Sequence, residues 1–177
     1  MPNPSLRLGQ ALRKSVAELR AAGIDGAMGE AKGLFMAASG LSRADLVAGE
    51  DKPISPNVAE KFDGYIARRS AGEPAAYIIG RKDFWSLSFK VTPDVLIPRP
   101  ETEGAVEAAL AFLAGRSAPR ILDIGTGSGA ILISLLHEIQ GAQGVGADIS
   151  EAALMVAREN AAAIAVDGRA EFVQSDY

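Results

Sequence analysis

The stretch Asp123-Ile124-Gly125-Thr126-Gly127-Ser128-Gly129 decides the fold, because it has the pattern of a turn between an arriving strand and a departing helix. The apolar run from Arg120 to Ile124 predicts a buried parallel strand, and residues 130–138 carry apolar side chains at helical spacing. Glycine has no Cβ, so a ligand can lie directly against the backbone, and free N–H groups at a helix start attract a carboxylate or a phosphate. The stretch therefore predicts a nucleoside-binding turn.

The spacing of the glycines separates two classes of cofactor. A dinucleotide fingerprint has the spacing G-x-G-x-x-G, whereas Gly125, Gly127 and Gly129 give G-x-G-x-G with Asp123 two residues before the first. This pattern favours S-adenosyl-L-methionine, because the turn can hold its methionine part while Asp123 lies near the ammonium group or braces the loop. Asp148 ends the next predicted strand and can accept both ribose hydroxyls. A nicotinamide-dependent oxidoreductase is the disfavoured alternative.

Composition narrows the class of protein further. The 177 residues are 48% hydrophobic and 23% charged, which is typical of a globular chain, and the net charge of −4 gives no strong basic field for nucleic acid or an anionic membrane. The chain has no cysteine, so disulfides and thiolate metal sites are excluded. We expect a cytoplasmic protein without a signal peptide or membrane span. The single histidine, His137, is expected on a helix surface rather than at a metal.

The first part of the chain, residues 1–75, is predicted to be a helical domain. Apolar residues at helical spacing indicate helices from Ser5 to about residue 22, around residues 31–38, from Ser42 to Val47, and from Ser55 to near Gly72. Four short-linked helices form a small bundle. No catalytic cluster occurs among them, so a function here would be recognition by a surface.

The second part of the chain changes to a period of two. Residues 85–91 alternate between apolar and polar, and Thr92-Pro93-Asp94 is predicted to turn this strand into Val95-Leu96-Ile97, which makes a hairpin within a linker of residues 76–100. Residues 101–177 then predict helix, strand, helix, strand, helix and strand. The fold class is therefore α/β: a helical bundle, a β-hairpin linker, and the first half of a Rossmann-like sheet.

Four stretches of the chain together resemble one family, the release factor glutamine methyltransferases of the PrmC or HemK type. They are residues 71–80, the turn of residues 121–129, Gln174-Ser175-Asp176-Tyr177, and Leu96-Ile97-Pro98-Arg99-Pro100-Glu101-Thr102-Glu103, the last being the most diagnostic. The resemblance runs through most of the chain. It implies a class I enzyme that transfers a methyl group from S-adenosyl-L-methionine to the glutamine amide of the Gly-Gly-Gln tip of a peptide-chain release factor.

The same resemblance implies roles for individual residues and for the helical domain. Residues 125–129, which include Thr126 and Ser128, would hold the methionine portion, Asp148 the ribose, Asp176 the adenine amino group, and Tyr177 would lie near the adenine ring. Arg99 to Glu103 would border the pocket or support it. The helical domain would bind the release factor, and no nucleic acid or membrane partner is implied.

The catalytic motif of the family, Asn-Pro-Pro-Tyr, is expected after the third strand and therefore beyond Tyr177. An amide nitrogen is a poor nucleophile, so the family needs this motif to orient it. We therefore expect the 177 residues to be a catalytically incomplete fragment, with no catalytic residue of their own. A non-catalytic binding module and another class I methyltransferase are the alternatives.

Overall fold

The computed structural model describes residues 7–47, residue 49 and residues 51–176. Contacts between Cα atoms divide the chain into two units, one that extends to Ile79 and one that begins at Gly80. The first unit is helical, and the second contains every strand of the two described sheets. The α/β fold class predicted from the sequence is confirmed.

The first unit contains five helices in the described residues. Their ends follow local sequence signals. Gly40 takes a left-handed conformation after the second helix, and Ser42 and Asp45 bond reciprocally at the start of the third. The Ser55 hydroxyl accepts from the Val58 N–H at the start of the fourth helix. Four of the helices match the predicted ones, and the short fifth helix was not predicted. The helices are α1 Leu8–Ala21, α2 Ala27–Ser39, α3 Arg43–Val47, α4 Pro56–Ser70 and α5 Ala75–Ile79.

The helical unit has a hydrophobic core of its own. Phe35 and Phe62 are fully buried and pack edge to face, with ring centroids 5.1 Å apart. Gly29 and Gly33 weaken α2 as an isolated helix, and packing of α2 against α1 and α4 offsets this cost. The Arg69 guanidinium also pairs with the Glu30 carboxylate, which joins α4 to α2.

The second unit begins with an antiparallel hairpin whose turn was wrongly placed by sequence. The strands are β1 Arg81–Phe84 and β2 Leu87–Lys90, so the turn lies at Trp85-Ser86 and the predicted strand through 85–91 is divided. Thr92 does form a turn with Val95, but the predicted strand at residues 95–97 does not form. The predicted pairing does not occur because β2 pairs with β1 instead.

The hairpin turn is held by side chains from elsewhere in the unit. Trp85 and Ser86 both have positive φ, at 52° and 58°, a conformation that non-glycine residues rarely adopt. The Glu103 carboxylate accepts from the Trp85 backbone N–H at 2.9 Å, and the Glu138 carboxylate accepts from its indole N–H at 2.9 Å. These distant partners explain why local sequence did not reveal the turn.

The rest of the second unit alternates helices and parallel strands. The three parallel strands lie side by side in chain order, with Leu122 opposite Val145 and Val145 opposite Glu171. Short 3₁₀ turns precede the first of the helices and the last of the strands. The elements are α6 Glu103–Leu113, β3 Arg120–Ile124, α7 Ala130–Glu138, β4 Gln143–Asp148, α8 Glu151–Ala163 and β5 Ala170–Gln174.

The two faces of this parallel sheet differ in burial. On one face, Ile121, Ala170 and Phe172 pack in a core with Leu132 of α7 and Leu154 of α8. On the other face, Leu122 and Ile124 are 62% and 53% exposed. Among the described strands, β3 lies at an edge of the sheet and β4 in the middle. The glycine turn thus follows an edge strand with one apolar face open to solvent.

No helix in the described part of the chain is long and apolar enough to cross a membrane.

Candidate cofactor site

The candidate site lies where the parallel strands end. Strands β3, β4 and β5 run in the same direction, so their carboxyl ends lie together at one edge of the sheet. The turn after Ile124, the carboxylate of Asp148 and the residues after Gln174 meet at this carboxyl-terminal edge. Ligands of open α/β sheets bind outside the carboxyl ends of the strands. The predicted residues of the described chain are therefore brought to the edge that suits binding.

The turn itself is fixed by backbone hydrogen bonds to the neighbouring strand. The N–H groups of Gly125 and Thr126 both donate to the carbonyl of Ala147, at 2.8 and 3.0 Å, and the Gly129 N–H donates to the Thr126 carbonyl at 2.8 Å. Gly146 in β4 makes room for this arrangement, because a Cβ there would lie 3.0 Å from the Thr126 methyl group. The sheet therefore determines the position of the turn.

Two glycines of the turn are required for different reasons. Gly127 has a φ of 55°, and a Cβ built on it would meet no atom within 4 Å, so the space above it is open. Gly129 has a φ of 80°, and its Cβ would lie 2.6 Å from Ile133 and 3.3 Å from Ala157. Gly129 thus permits close packing of α7 on α8, whereas Gly127 leaves a bare backbone surface that a ligand can cover.

Asp148 contacts the turn directly. Its Oδ2 accepts from the Gly127 N–H at 2.9 Å and its Oδ1 accepts from the Ser150 N–H at 3.0 Å. Each carboxylate oxygen has a second lone pair, so the group can still accept hydroxyl groups. The side chain predicted to bind a ribose therefore also holds the turn in place.

Asp123 stabilises the turn through a hydrogen bond, which is one of the two roles predicted for it. Its Oδ2 accepts from the Thr126 hydroxyl at 2.8 Å. Burial raises the pKa of the Asp123 carboxyl above its usual range, and the nearby charge of Asp148 acts in the same direction, while hydrogen bonds from Thr126 and the Leu132 backbone oppose the shift. A second negative charge at this edge is therefore costly, and a cation bound beside it would be stabilising.

The other residues predicted for the site have different placements. Asp176 is exposed just after β5, at the same edge of the sheet. Tyr177 lies outside the described residues. Arg99 is exposed. Glu103 binds the hairpin turn as described above, so of the two predicted roles, bordering the pocket or supporting it, the structure favours support for Glu103. His137 is exposed near the end of α7, and the described residues contain no cluster of acidic or histidine side chains suited to a metal.

Sequence reasoning missed two residues at this edge. Ile149 directly follows Asp148 and is 67% exposed, which places an apolar side chain beside the carboxylate predicted for the ribose. Asn160 of α8 is buried, and its amide donates to the Ser128 carbonyl. The sequence carried a signal for each of them. Ile149 is an apolar residue directly after the acid that ends a strand, and Asn160 is a polar residue on the apolar face of α8.

A second depression lies at the opposite edge of the sheet, across the amino ends of the strands. Arg120, Gln143 and Arg169 are among its lining residues. It is far along the strands from the glycine turn, at the edge that parallel sheets rarely use for ligands. We therefore place the candidate site at the turn.

Comparison with known proteins gives two family matches along the chain. Residues 10–80 match the PrmC N-terminal domain, and residues 116–177 match a methyltransferase domain. Partial structural likeness is found to an RNA methyltransferase from Salinibacter ruber in complex with S-adenosyl-L-homocysteine, with 31% identity and a TM-score of 0.40 over 45% of this chain and 50% of that chain. The fold assignment rests on the strand order described above.

Curated relatives agree with these matches. The release factor glutamine methyltransferase of Cereibacter sphaeroides is 44% identical over 97% of this chain and 60% of its own length. That of Bradyrhizobium diazoefficiens is 44% identical over 94% of this chain and 57% of its own length. The chain thus spans somewhat more than half the length of these relatives. Over nearly its whole length it is similar in sequence to the release factor glutamine methyltransferases.

Proposed function

We propose that this chain binds S-adenosyl-L-methionine at the glycine turn, as part of an enzyme that methylates the glutamine side chain of a peptide-chain release factor. The observation that carries the proposal is the joint placement of the open backbone at Gly127 and the carboxylate of Asp148 at one edge of the sheet. Relatives named release factor glutamine methyltransferase support the substrate class.

The groups at this edge fit the parts of the cofactor. The first N–H groups of α7, at Ala130 and Ile131, have no acceptor within the helix and suit the cofactor's carboxylate. The Asp123 carboxyl suits the ammonium group, since a cation offsets the negative charges of the two aspartates. Asp148 would accept from the ribose hydroxyls, and Ile149 and Asp176 would contact the adenine. When bound, the cofactor would supply a methyl group activated on a sulfonium sulfur.

Calorimetry with S-adenosyl-L-homocysteine tests the cofactor. A hydrogen bond to a charged group is worth about 1.5–3 kcal/mol, so Asp148→Ala should weaken binding by about ten- to a hundredfold. Asp94→Ala, which changes an exposed aspartate in the loop after the hairpin, is the matched control and should leave the affinity unchanged. Unchanged affinity in Asp148→Ala, or a preference for NAD, would contradict the assignment.

The helical unit is proposed to recognise the release factor. It matches the N-terminal domain of the family and holds its own core. Its recognition surface would act without a chemical role, and its described residues hold no group of acidic or histidine side chains suited to a metal.

Deletion of the helical unit provides the corresponding experiment. A variant that begins at Gly80 should bind a release factor at least about tenfold more weakly than the full chain, while its affinity for S-adenosyl-L-homocysteine stays within about twofold. If release-factor binding is unaffected, recognition lies elsewhere.

Methylation of the release factor by the 177-residue chain itself would contradict the prediction that this chain lacks the catalytic element.

A further inference from the structure

A single buried amide joins three elements of the second unit. Asn160 of α8 is only 1% exposed. Its Oδ1 accepts from the Lys90 N–H at 2.7 Å, and its Nδ2 donates to the Lys90 carbonyl at 3.0 Å and to the Ser128 carbonyl at 2.9 Å. Both amide hydrogens and one oxygen lone pair are therefore used. One side chain thus binds strand β2 of the hairpin and the glycine turn together.

The hydrogen bond from Asn160 to the Ser128 carbonyl helps to fix the orientation of one peptide group in the turn. The peptide between Ser128 and Gly129 has its N–H bound to the Thr126 carbonyl and its carbonyl bound to Asn160. A peptide group is planar, so two bonds on opposite sides determine its orientation. This peptide comes directly before Ala130, the first residue of α7. Asn160 therefore helps to determine how the first N–H groups of α7 face the ligand.

Packing alone does not explain an asparagine at this position. The neighbouring buried residues of α8, which are Leu154, Ala157 and Ala161, are all apolar. A buried amide is costly unless it is bonded, whereas an apolar residue of similar size would fill the same space without that cost. The amide lies where it can donate to the carbonyls of both Lys90 and Ser128.

We propose that Asn160 is a positioning residue for the cofactor turn and that it couples the turn to the hairpin. The coupling is a property of the ligand-free chain. The identity of the ligand that benefits from it, S-adenosyl-L-methionine, rests on the proposed function. Substitution of Asn160 should therefore loosen the turn first and weaken cofactor binding as a result.

Amide hydrogen exchange in the ligand-free full chain tests the coupling. In Asn160→Asp and Asn160→Leu, the Gly129 amide should exchange about five- to a hundredfold faster relative to the amides of β4, because a buried carbonyl loses its donor. Glu159→Gln is the matched control: Glu159 pairs with the Lys90 ammonium, so this change loosens the same hairpin residue without touching the turn. An equal increase at Gly129 and in β4 would indicate only lower global stability and would overturn the proposal.

The unsubstituted chain gives a second measurement if the variants do not fold. Both side-chain amide protons of Asn160 should be protected from exchange, since each is bonded to a backbone carbonyl. Exchange at the rate of an exposed asparagine would overturn the proposal.

Calorimetry with S-adenosyl-L-homocysteine tests the consequence for binding. Asn160→Asp keeps the acceptor for the Lys90 N–H but loses both donors, so its affinity should fall about tenfold, whereas Glu159→Gln should stay within about twofold. Unchanged affinity in a folded Asn160 variant with faster exchange at Gly129 would overturn the positioning role. Failure of the unsubstituted chain to bind would instead contradict the proposed function and leave the exchange result standing.

Discussion

The two units of this chain bury their apolar residues to different extents. In the helical unit, Phe35, Phe62 and Leu34 lie within a core that the unit's own helices surround. In the sheet unit, the helices pack on one face of the three strands and leave Leu122 and Ile124 exposed on the other. The helical unit completes its core with local contacts, whereas a sheet needs cover on both faces to bury its strands. Stability and solubility should therefore respond to substitution differently in the two units.

The largest expected effect is on the core of the helical unit. Phe35→Ala should reduce the free energy of unfolding by about 3–5 kcal/mol, because it removes a fully buried ring. Ile124→Ala in the sheet should cost less than about 1 kcal/mol, because that side chain is already half exposed. Urea denaturation followed by circular dichroism measures both values. Similar losses in the two variants would show that the exposed face of the sheet is covered in solution.

A smaller effect is expected at the end of α7. Arg169 donates to the carbonyls of Leu136, Ile139 and Ala142, which lie at or just after the helix end. Arg169→Met should lower the stability of the sheet unit by roughly 1–3 kcal/mol. The control is Arg13→Met, an exposed arginine of α1, which should change little. Thermal unfolding compares them, and equal shifts would contradict a specific role for Arg169.

The exposed face of the sheet should govern self-association. Leu122→Thr combined with Ile124→Thr keeps strand-favouring side chains but removes apolar surface, so association should weaken by roughly five- to tenfold. Val47→Thr makes the same kind of change at an exposed site of the helical unit and should leave association unaltered. Sizing chromatography over a range of concentrations gives the comparison. A monomeric unsubstituted chain at all concentrations would contradict this prediction.

The smallest effect is the response of the two units to acid, which should have opposite signs. The pKa of Glu73 in the helical unit is lowered by its hydrogen bond with Arg68, so its contribution to stability is present above the usual glutamate pKa and is lost as pH falls through the lowered value. The pKa of Asp123 is raised by burial, so the native state binds its proton more tightly and gains stability as pH falls through the raised value.

Two amide substitutions separate these contributions. Glu73→Gln should remove part of the acid-induced loss, and Asp123→Asn should remove part of the gain while keeping an acceptor for the Thr126 hydroxyl. Unfolding in urea at a series of mildly acidic pH values measures both. If the two variants change the pH dependence in the same direction, the assigned causes are wrong for one of them.

Sequence patterns predicted the parts of the structure that depend on local signals. The strand from Arg120 to Ile124 and the helix from Ala130 to Glu138 have the predicted bounds, because a short apolar run ends at the glycine turn and a helical period begins directly after it. The hairpin turn at Trp85-Ser86 was misplaced, because Glu103 and Glu138 stabilise it from 18 and 53 residues away. Tertiary partners of this kind leave no periodicity in the sequence.

The candidate site, like the fold, was predicted from the sequence only in part. Gly127 and Asp148 could be identified from spacing, since the turn and the strand end fix their positions. Their bond to each other depends on the pairing of β3 with β4, and could not be predicted. The bond from Asn160 to Ser128 depends on how α8 packs and could not be predicted either. The roles of Asp148 and Asp176 toward a ligand stay predictions.

The indole bond at the hairpin turn makes Trp85 a built-in optical reporter. It is the only tryptophan of the 177 residues, so the intrinsic emission excited at long ultraviolet wavelengths comes from this ring alone. Its N–H is bonded to the Glu138 carboxylate, and the ring packs partly against the core of the sheet unit. Detachment of the hairpin from α7 should expose the ring to water and shift its emission to the red. Fluorescence can therefore follow the docking of the hairpin without any label.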